Sequence, residues 1–141
     1  MREILFRGKA IDTKQWIYGF YFQAYGKHFV LDIEKAAQSP HVYLFDFAVE
    51  VISETVGQFT GLTDKNGVKI FEGDILKLWR SLGANSQLRG EYGKLLAVTY
   101  CDLWCQFVVE NTEVKKQMGI WTDFQAFEVV GNIHEPKEEQ P

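Results

Sequence analysis

The chain has 141 residues, of which 15 are basic and 19 are acidic, so its net charge is −4. This size allows one domain or two small lobes, and the acidic balance argues against a surface coated with positive charge for nonspecific nucleic-acid binding. Aromatic residues make up 15% of the chain, which favours half-buried β-strands over helices.

The N-terminal sequence MREILFRGK places charges among its apolar residues, unlike a secretory signal. The longest aromatic and apolar run, Trp16–Phe22, is far shorter than the roughly 20 residues that span a bilayer. Cys101 and Cys105 are too few for a disulfide scaffold, and free thiols suit a reducing compartment. The sequence therefore predicts a soluble, cytoplasmic protein without membrane association.

Alternating apolar and polar residues predict a three-stranded antiparallel meander at the N-terminus. In the first strand Ile4 and Phe6 share one face. The second strand carries large apolar side chains on both faces, so both faces require cover. The three strands are expected at Arg2–Arg7, Trp16–Phe22 and His28–Leu31.

The region after the meander combines a short helix with a further strand. Asp32 is placed to cap a helix over Ile33–Gln38, and Pro40 ends that helix. His41–Val51 then returns to the apolar spacing of a strand.

The stretch Ile52–Lys77 contains the densest turn signals of the chain. Asp64–Gly67 predicts a hairpin turn, because Asn and Gly tolerate positive φ and Asp bonds the backbone just downstream. Glu72–Asp74 then interrupts the apolar residues, which predicts a sharp bend before the chain enters a second sheet layer at Ile75.

The last third of the chain begins with a polar excursion. Lys77–Lys94 is rich in Ser, Gly and Asn, which predicts a mobile, exposed loop. A hairpin is expected to join Lys94–Tyr100 to Phe107–Glu110. Ile120–Ala126 fits one helical turn, and Phe127–Ile133 predicts a closing strand.

These elements predict a mainly β protein with an N-terminal antiparallel meander, a C-terminal SH3-like barrel and short helices. We expect an N-terminal β-rich region over residues 1–52, an SH3-like β-barrel region over 53–134 and a flexible tail over 135–141. The tail is charged and bounded by proline, so it has nothing to bury.

Six sequence blocks in order along the chain resemble those of the YopX proteins, a group found in phages and in prophage regions of bacterial chromosomes. The resemblance implies a mainly β fold with an SH3-like part, and it brings no established activity. The blocks are REILFRGK (2–9), WIYGFYF (16–22), ETVGQFTGLTDKNG (54–67), KIFEGDIL (69–76), VTY (98–100) and FEVVGNIHE (127–135).

Glu72 and Asp74 allow two interpretations. Two carboxylates on one strand face could hold a metal or perform acid–base chemistry. Acids on either side of a glycine are also what a turn selects, with Asp74 accepting backbone N–H groups, and this interpretation is favoured. Glu54, Thr55 and Gln58 are likewise expected to cap the start of the hairpin rather than to bind a ligand.

A zinc site is a weak hypothesis for this chain. Cys101, Cys105 and His134 supply three candidate ligands where structural zinc generally needs four. The thiols are therefore expected to be free and buried or half-buried. His28 and His41 lie in predicted strands without partners at ligand spacing, so they are expected to be structural.

The segment Lys77–Lys94 carries a local surplus of positive charge, with four basic residues against one acidic residue, Glu91, and two aromatic residues between them. Such a loop can bind nucleic acid through cations on phosphates and aromatic rings on bases. The acidic balance of the whole chain favours an ordinary solvated loop instead. The candidate binding residues are Lys77, Trp79, Arg80, Arg89, Tyr92 and Lys94.

The sequence contains no complete catalytic constellation, so no catalytic residue, metal or cofactor is predicted. We expect a non-catalytic phage accessory protein that binds a protein partner of unknown identity. A nucleic-acid-associated protein and a small metal-dependent enzyme are the alternatives. The two apolar faces of Trp16–Phe22 further predict a homo-oligomer, strand addition at an exposed meander edge, or cover by the C-terminal lobe.

Overall fold

The computed structural model describes residues 3–38, 43–80, 82–83, 88–119 and 126–135. In these residues the chain is mainly β, as predicted, with one short α-helix, α1 (Ile33–Ala37), and 3-10 turns at Leu44–Phe47 and Ser53–Thr55. The strands are β1 (Phe6–Lys9), β2 (Trp16–Ala24), β3 (Lys27–Asp32), β4 (Ala48–Glu50), β5 (Gly57–Thr63), β6 (Lys69–Phe71), β7 (Asp74–Leu78), β8 (Leu96–Cys101), β9 (Gln106–Asn111), β10 (Gln117–Gly119) and β11 (Phe127–Asn132).

The strands form two antiparallel sheets. The first has the strand order β4-β3-β2-β1-β5-β6, and the second has the order β10-β9-β8-β7-β11. The chain divides into two compact units, Met1–Phe59 and Thr60–Pro141, so the division falls inside β5. A closed SH3-like barrel stays a prediction.

The N-terminal meander of β1, β2 and β3 is confirmed, but its first strand begins later than predicted. β1 starts at Phe6 and includes Gly8, which lies just beyond the predicted end of the strand at Arg7. A Cβ at Gly8 would lie 2.9 Å from Cγ2 of Val51, so the close approach of Val51 requires glycine within the strand.

Both edges of the meander are paired. β4 pairs with β3, with Val49 opposite Val30, and β5 pairs with β1, with Gln58 opposite Phe6. Strand addition at an exposed meander edge was therefore a wrong expectation, because strands later in the chain occupy those hydrogen-bonding groups.

The helix after the meander is confirmed, whereas the long strand that follows it was predicted wrongly. Asp32 caps α1, since its Oδ1 accepts a hydrogen bond from the Lys35 N–H at 3.1 Å. Within the described residues 43–51, the strand is confined to Ala48–Glu50. The Asp46 N–H donates to the Tyr43 carbonyl, which closes a 3-10 turn in place of extended backbone. His41 and Val42 lie outside the described residues.

The hairpin at the centre of the chain is confirmed. Asp64 and Val68 close the turn between β5 and β6, with the Asp64 N–H donating to the Val68 carbonyl at 2.8 Å. Gly67 has a φ of +81°, which glycine adopts without strain. The bend at Gly73, with a φ of +94°, leads into β7 and hence into the second sheet, as predicted.

The second unit holds a core cluster built on β7, β8 and β9. The predicted hairpin β8–β9 and the closing strand β11 are confirmed, while β10 was missed in a polar stretch. Buried members of the cluster are Ile70, Leu76, Leu78, Leu88, Leu96, Val98, Val109, Met118, Ala126 and Phe127.

Three sequence predictions involve positions outside the described residues. They concern most of the helical turn at Ile120–Ala126, most of the tail over 135–141, and five positions within Lys77–Lys94. In the part of the chain that the structure describes, no helix is long and apolar enough to cross a bilayer.

Candidate functional site

The six predicted binding residues lie on two segments of the second unit. Lys77 lies in β7, and Trp79 and Arg80 follow that strand directly. The remaining three, Arg89, Tyr92 and Lys94, lie in the turns that precede β8. All six side chains are exposed.

The segment before β8 is anchored to the core, contrary to the expectation of a fully exposed loop. Leu88 is completely buried in the core cluster. Glu91 is also buried, and its Oε2 accepts a hydrogen bond from Nδ2 of Asn111 at 2.9 Å. Lys94 Nζ lies 3.7 Å from the same oxygen, so Glu91 balances part of the local positive charge.

Trp79 and Arg80 form a compact group with a third residue, Lys65, that sequence reasoning missed. The guanidinium carbon of Arg80 lies 5.7 Å from the centroid of the Trp79 ring. Lys65 Nζ lies 5.2 Å from the same centroid. These distances are those of cation–π contacts, and Trp79 keeps 47% of its surface exposed.

Backbone hydrogen bonds bring Lys65 and Trp79 together. The Lys65 N–H donates to the Phe127 carbonyl and the Trp79 N–H donates to the Ala126 carbonyl, each at 3.0 Å. Ala126 and Phe127 are almost fully buried. Two neighbouring carbonyls of a buried segment therefore hold the backbones of both residues.

Asp64 fixes the turn that presents Lys65. Its Oδ1 accepts the N–H groups of Asn66 and Val68 at 2.8 and 2.9 Å. Its Oδ2 accepts the N–H of Val129 in β11 at 2.9 Å, and the side chain is 2% exposed. The first two bonds follow from turn chemistry, whereas the third joins residues far apart in sequence and left no local signal.

A second surface lies on the first sheet. Register pairs Phe20 with Leu31 and Phe22 with Phe29, so alternate residues of β2 and β3 share one face. On this face Phe22 stacks on Phe29 with centroids 5.2 Å apart, and Phe45 meets Phe22 edge-on at 5.6 Å. We refer to Tyr18, Phe20, Phe22, Phe29 and Phe45 as the aromatic face.

The opposite face of the first sheet has a different character. Tyr21 and His28 stack with centroids 5.9 Å apart, and Tyr21 Oη lies 2.6 Å from Nδ1 of His28. Gln23 donates to the same hydroxyl at 2.8 Å, and Phe6 packs beside Tyr21. These contacts fit the structural role that the sequence suggested for His28.

The turn interpretation of Asp74 is confirmed. Asp74 is 2% exposed, and its Oδ2 accepts the N–H of Phe71 at 2.8 Å across the bend at Gly73. Thr55 also acts as expected at the start of the hairpin, since its Oγ1 accepts the Lys9 N–H and donates to the Ile52 carbonyl. Both side chains stabilise turns.

The two cysteines form no disulfide. Cys101 is buried at the end of β8, whereas Cys105 is exposed in the following turn, so the expectation of burial was wrong for Cys105. Partial desolvation and the neighbouring Cys105 raise the pKa of Tyr100. Among the described residues, no group of three or more His, Cys, Asp or Glu side chains is arranged to hold a metal ion.

The fold and its two surfaces define a small, mainly β protein with exposed aromatic groups in each unit. The chain belongs to the YopX family, since the family model described as YopX protein matches residues 5–138. Among solved structures, protein EF1440 from Enterococcus faecalis is similar, with 22% sequence identity, 96% of each chain covered and a TM-score of 0.46. No curated protein is significantly similar in sequence.

Proposed function

We propose that the chain is a non-catalytic interaction module of a phage or prophage, and that it associates through its aromatic face with a second copy of itself. The resemblance of its sequence blocks to those of phage-encoded proteins supports the setting. A cytoplasmic location is part of the proposal, and the two free cysteines are consistent with it. The buried, hydrogen-bonded Asp74 supports a structural rather than a catalytic role for its carboxylate.

The exposure of the aromatic face carries the proposal. Phe45 is 71% exposed, Phe20 54% and Tyr18 43%. Single exposed apolar residues are ordinary, but adjacent aromatic rings on one sheet face form the kind of patch that marks interaction sites. Two such faces can pack against each other as sheets do in a sandwich, which buries both.

Charge complementarity favours a second copy as the occupant. Lys27 and Glu50 lie on the same face, beside Phe29, because Glu50 pairs with Phe29 and Lys27 precedes it by two residues on β3. A two-fold contact presents the same patch from both copies. We propose the orientation of this contact, centred on the Phe22–Phe29 pair, in which Lys27 of each copy lies near Glu50 of the other.

The first test measures mass in solution. Light scattering on purified protein at micromolar concentration is expected to give twice the chain mass of 16.3 kDa. Phe20→Thr should weaken dimerisation by about 10- to 150-fold, because the dimer loses two rings that are each 54% exposed in the single chain, and burial of one whole ring contributes roughly 1.5–3 kcal/mol. Tyr25→Asn is the matched control, since Tyr25 is 99% exposed in the β2–β3 turn and Asn tolerates its positive φ of 55°.

The second test uses charge reversal. Lys27→Glu and Glu50→Lys should each dimerise weakly, since each variant brings like charges together across the two-fold contact. An equimolar mixture of the two variants should restore association as a heterodimer, in which every pair is complementary. A monomer mass for the unaltered chain, or a mixture no better than the separate variants, would refute the proposal.

A further inference from the structure

We propose that Trp79, Lys65 and Arg80 form a binding site for single-stranded nucleic acid. The site lies in the second unit and does not depend on the aromatic face of the first. Its defining feature is an exposed indole ring with a guanidinium and an ammonium group at 5.7 and 5.2 Å from its centroid.

The three residues supply the two kinds of contact that single strands require. Unpaired bases stack on aromatic rings whatever their sequence, and neighbouring cations neutralise the phosphates of the same strand. Trp79 has nearly half its surface exposed for stacking, and both cationic side chains are exposed as well. A duplex offers phosphates but keeps its base faces stacked on each other, so the indole ring favours a single strand.

The cation–π contacts of Lys65 and Arg80 with the Trp79 ring do not prevent a base from binding to that ring. Stacking of a base on an aromatic ring is stronger than a cation–π contact at an exposed position. A base can therefore take over a ring face, while Lys65 and Arg80 keep their positive charge for the phosphates on either side. Long flexible side chains make this exchange possible without backbone movement.

The backbone beneath the site is already in place. Lys65 and Trp79 bond to neighbouring carbonyls of Phe127 and Ala126, and Asp64 holds the Lys65 turn through three N–H groups. Fixed backbone reduces the ordering that a ligand must impose, which increases affinity.

The net charge of −4 does not exclude the site. At physiological salt the Debye length is about 8 Å, so distant acids act weakly on a strand at this position. The nearby Asp64 carboxylate is buried and bonded to three N–H groups. Lys77 lies opposite Glu128 across the β7–β11 pair and is left out of the proposed site.

The test is fluorescence polarisation with labelled 12-nucleotide oligo(dT) and oligo(U), a 12-base-pair duplex and oligo-glutamate, each titrated with the full chain. Trp79→Leu is expected to weaken binding of the single strands by about fivefold or more, as for loss of one stacked base. Trp104→Leu is the matched control, since Trp104 is also an exposed tryptophan, 54% exposed in the β8–β9 turn. This variant should bind the single strands as tightly as the unaltered chain does.

A second pair of variants tests the cations. With two phosphates neutralised, the logarithm of the affinity should fall with the logarithm of the salt concentration at a slope of about −1.4 for a single strand. Lys65→Ala combined with Arg80→Ala should bring this slope close to zero. Lys35→Ala combined with Lys116→Ala removes two exposed charges elsewhere and should leave the slope unchanged.

Several results would overturn the proposal. The first is that no single-strand binding is detected at low salt up to about 100 µM protein. The second is that the duplex or oligo-glutamate binds at least as tightly as the single strands. The third is that Trp79→Leu and Trp104→Leu lose the same amount of single-strand affinity. Circular dichroism of each variant separates loss of the site from loss of the fold. Because the residues tested lie in the other unit, dimerisation through the aromatic face should be unchanged.

Discussion

Three of the buried acidic side chains in the described residues are held by hydrogen bonds in or beside turns. Asp64, Asp74 and Glu91 are each at most 5% exposed, and each accepts a hydrogen bond from a backbone N–H or a side-chain amide. A buried carboxylate without such partners would cost several kcal/mol, so these bonds make the burial possible. The two aspartates accept N–H groups that would otherwise lack a partner inside the turns.

Asp64 accepts three backbone N–H groups, so its amide variant should be clearly destabilised. In Asp64→Asn one oxygen can still accept the Asn66 and Val68 N–H groups, but the new NH2 faces the Val129 N–H, and two donors then oppose each other. We expect the free energy of unfolding in urea to fall by about 1–3 kcal/mol.

Asp102→Asn is the control for this variant, because Asp102 is exposed in the β8–β9 turn. Its effect should stay within about 0.5 kcal/mol. Equal stability of the two variants would show that the Asp64–Val129 bond does not stabilise the fold.

The local part of the Asp64 network was predictable from sequence and the distant part was not. An Asp followed by Asn and Gly identifies a turn and the downstream N–H groups that the carboxylate accepts. The Val129 N–H lies 65 residues away along the chain. The Val129 N–H reaches the Asp64 carboxylate only because β11 lies beside the turn. The residue spacing in a single sequence does not show which distant strand lies beside a turn.

Strand alternation identified most elements of both sheets, because half-buried strands repeat every two residues. The errors lie where packing overrides that pattern. β1 extends through Gly8, which pairs with Ile17 of β2 at a position where Val51 leaves no room for a side chain. β10 forms in a polar stretch because β9 offers it an edge. The apolar spacing over His41–Val51 predicted a strand, although the backbone turns at Leu44–Phe47.

A double variant tests the contact between β1 and Val51. Gly8→Ala places its Cβ 2.9 Å from Val51 Cγ2, which overpacks the site and should cost about 1–3 kcal/mol of unfolding free energy. Val51→Ala removes the two methyl groups at 2.9 and 3.1 Å and leaves only the Val51 Cβ at 3.0 Å, so it relieves part of the overlap. The double variant should therefore be more stable than the sum of the single effects by about 0.5 kcal/mol or more.

Gly83→Ala is the control for Gly8→Ala, because an added Cβ there meets nothing within 4 Å. Its change should stay within about 0.5 kcal/mol. Strict additivity of the Gly8 and Val51 effects in thermal or urea unfolding would contradict the proposed steric cause.

For the molecule as a whole, the sequence predicted the mainly β class, but it predicted only two of the three residues of the Trp79 site. Trp79 and Arg80 are adjacent, so their cation–aromatic combination was visible in the sequence. Lys65 belongs to a different hairpin, and it reaches Trp79 because both backbones bond to neighbouring carbonyls of residues 126 and 127. A site assembled from distant segments needs the fold before it can be recognised.

The chain passes from one compact unit to the other inside β5, without a linker. The Phe59 N–H donates to the Leu5 carbonyl in the first unit, and Thr60 Oγ1 donates to the Ile70 carbonyl in the second, each at 2.8 Å. Inserting Gly-Ser-Gly-Ser between Phe59 and Thr60 should therefore disturb both units. We expect a loss of more than about 2 kcal/mol in urea unfolding followed by circular dichroism, since each bond contributes roughly 1 kcal/mol.

The same four residues inserted between Leu103 and Trp104 lengthen an exposed hairpin turn instead, since Leu103 is 85% exposed. Doubling the length of a flexible loop costs only about 0.6 kcal/mol. The difference between the two insertions measures what the continuity of β5 contributes, because the inserted sequence is identical. If the insertion inside β5 cost no more than the one in the turn, the two units would be joined by a tolerant connection, and β5 would not act as a single strand in solution.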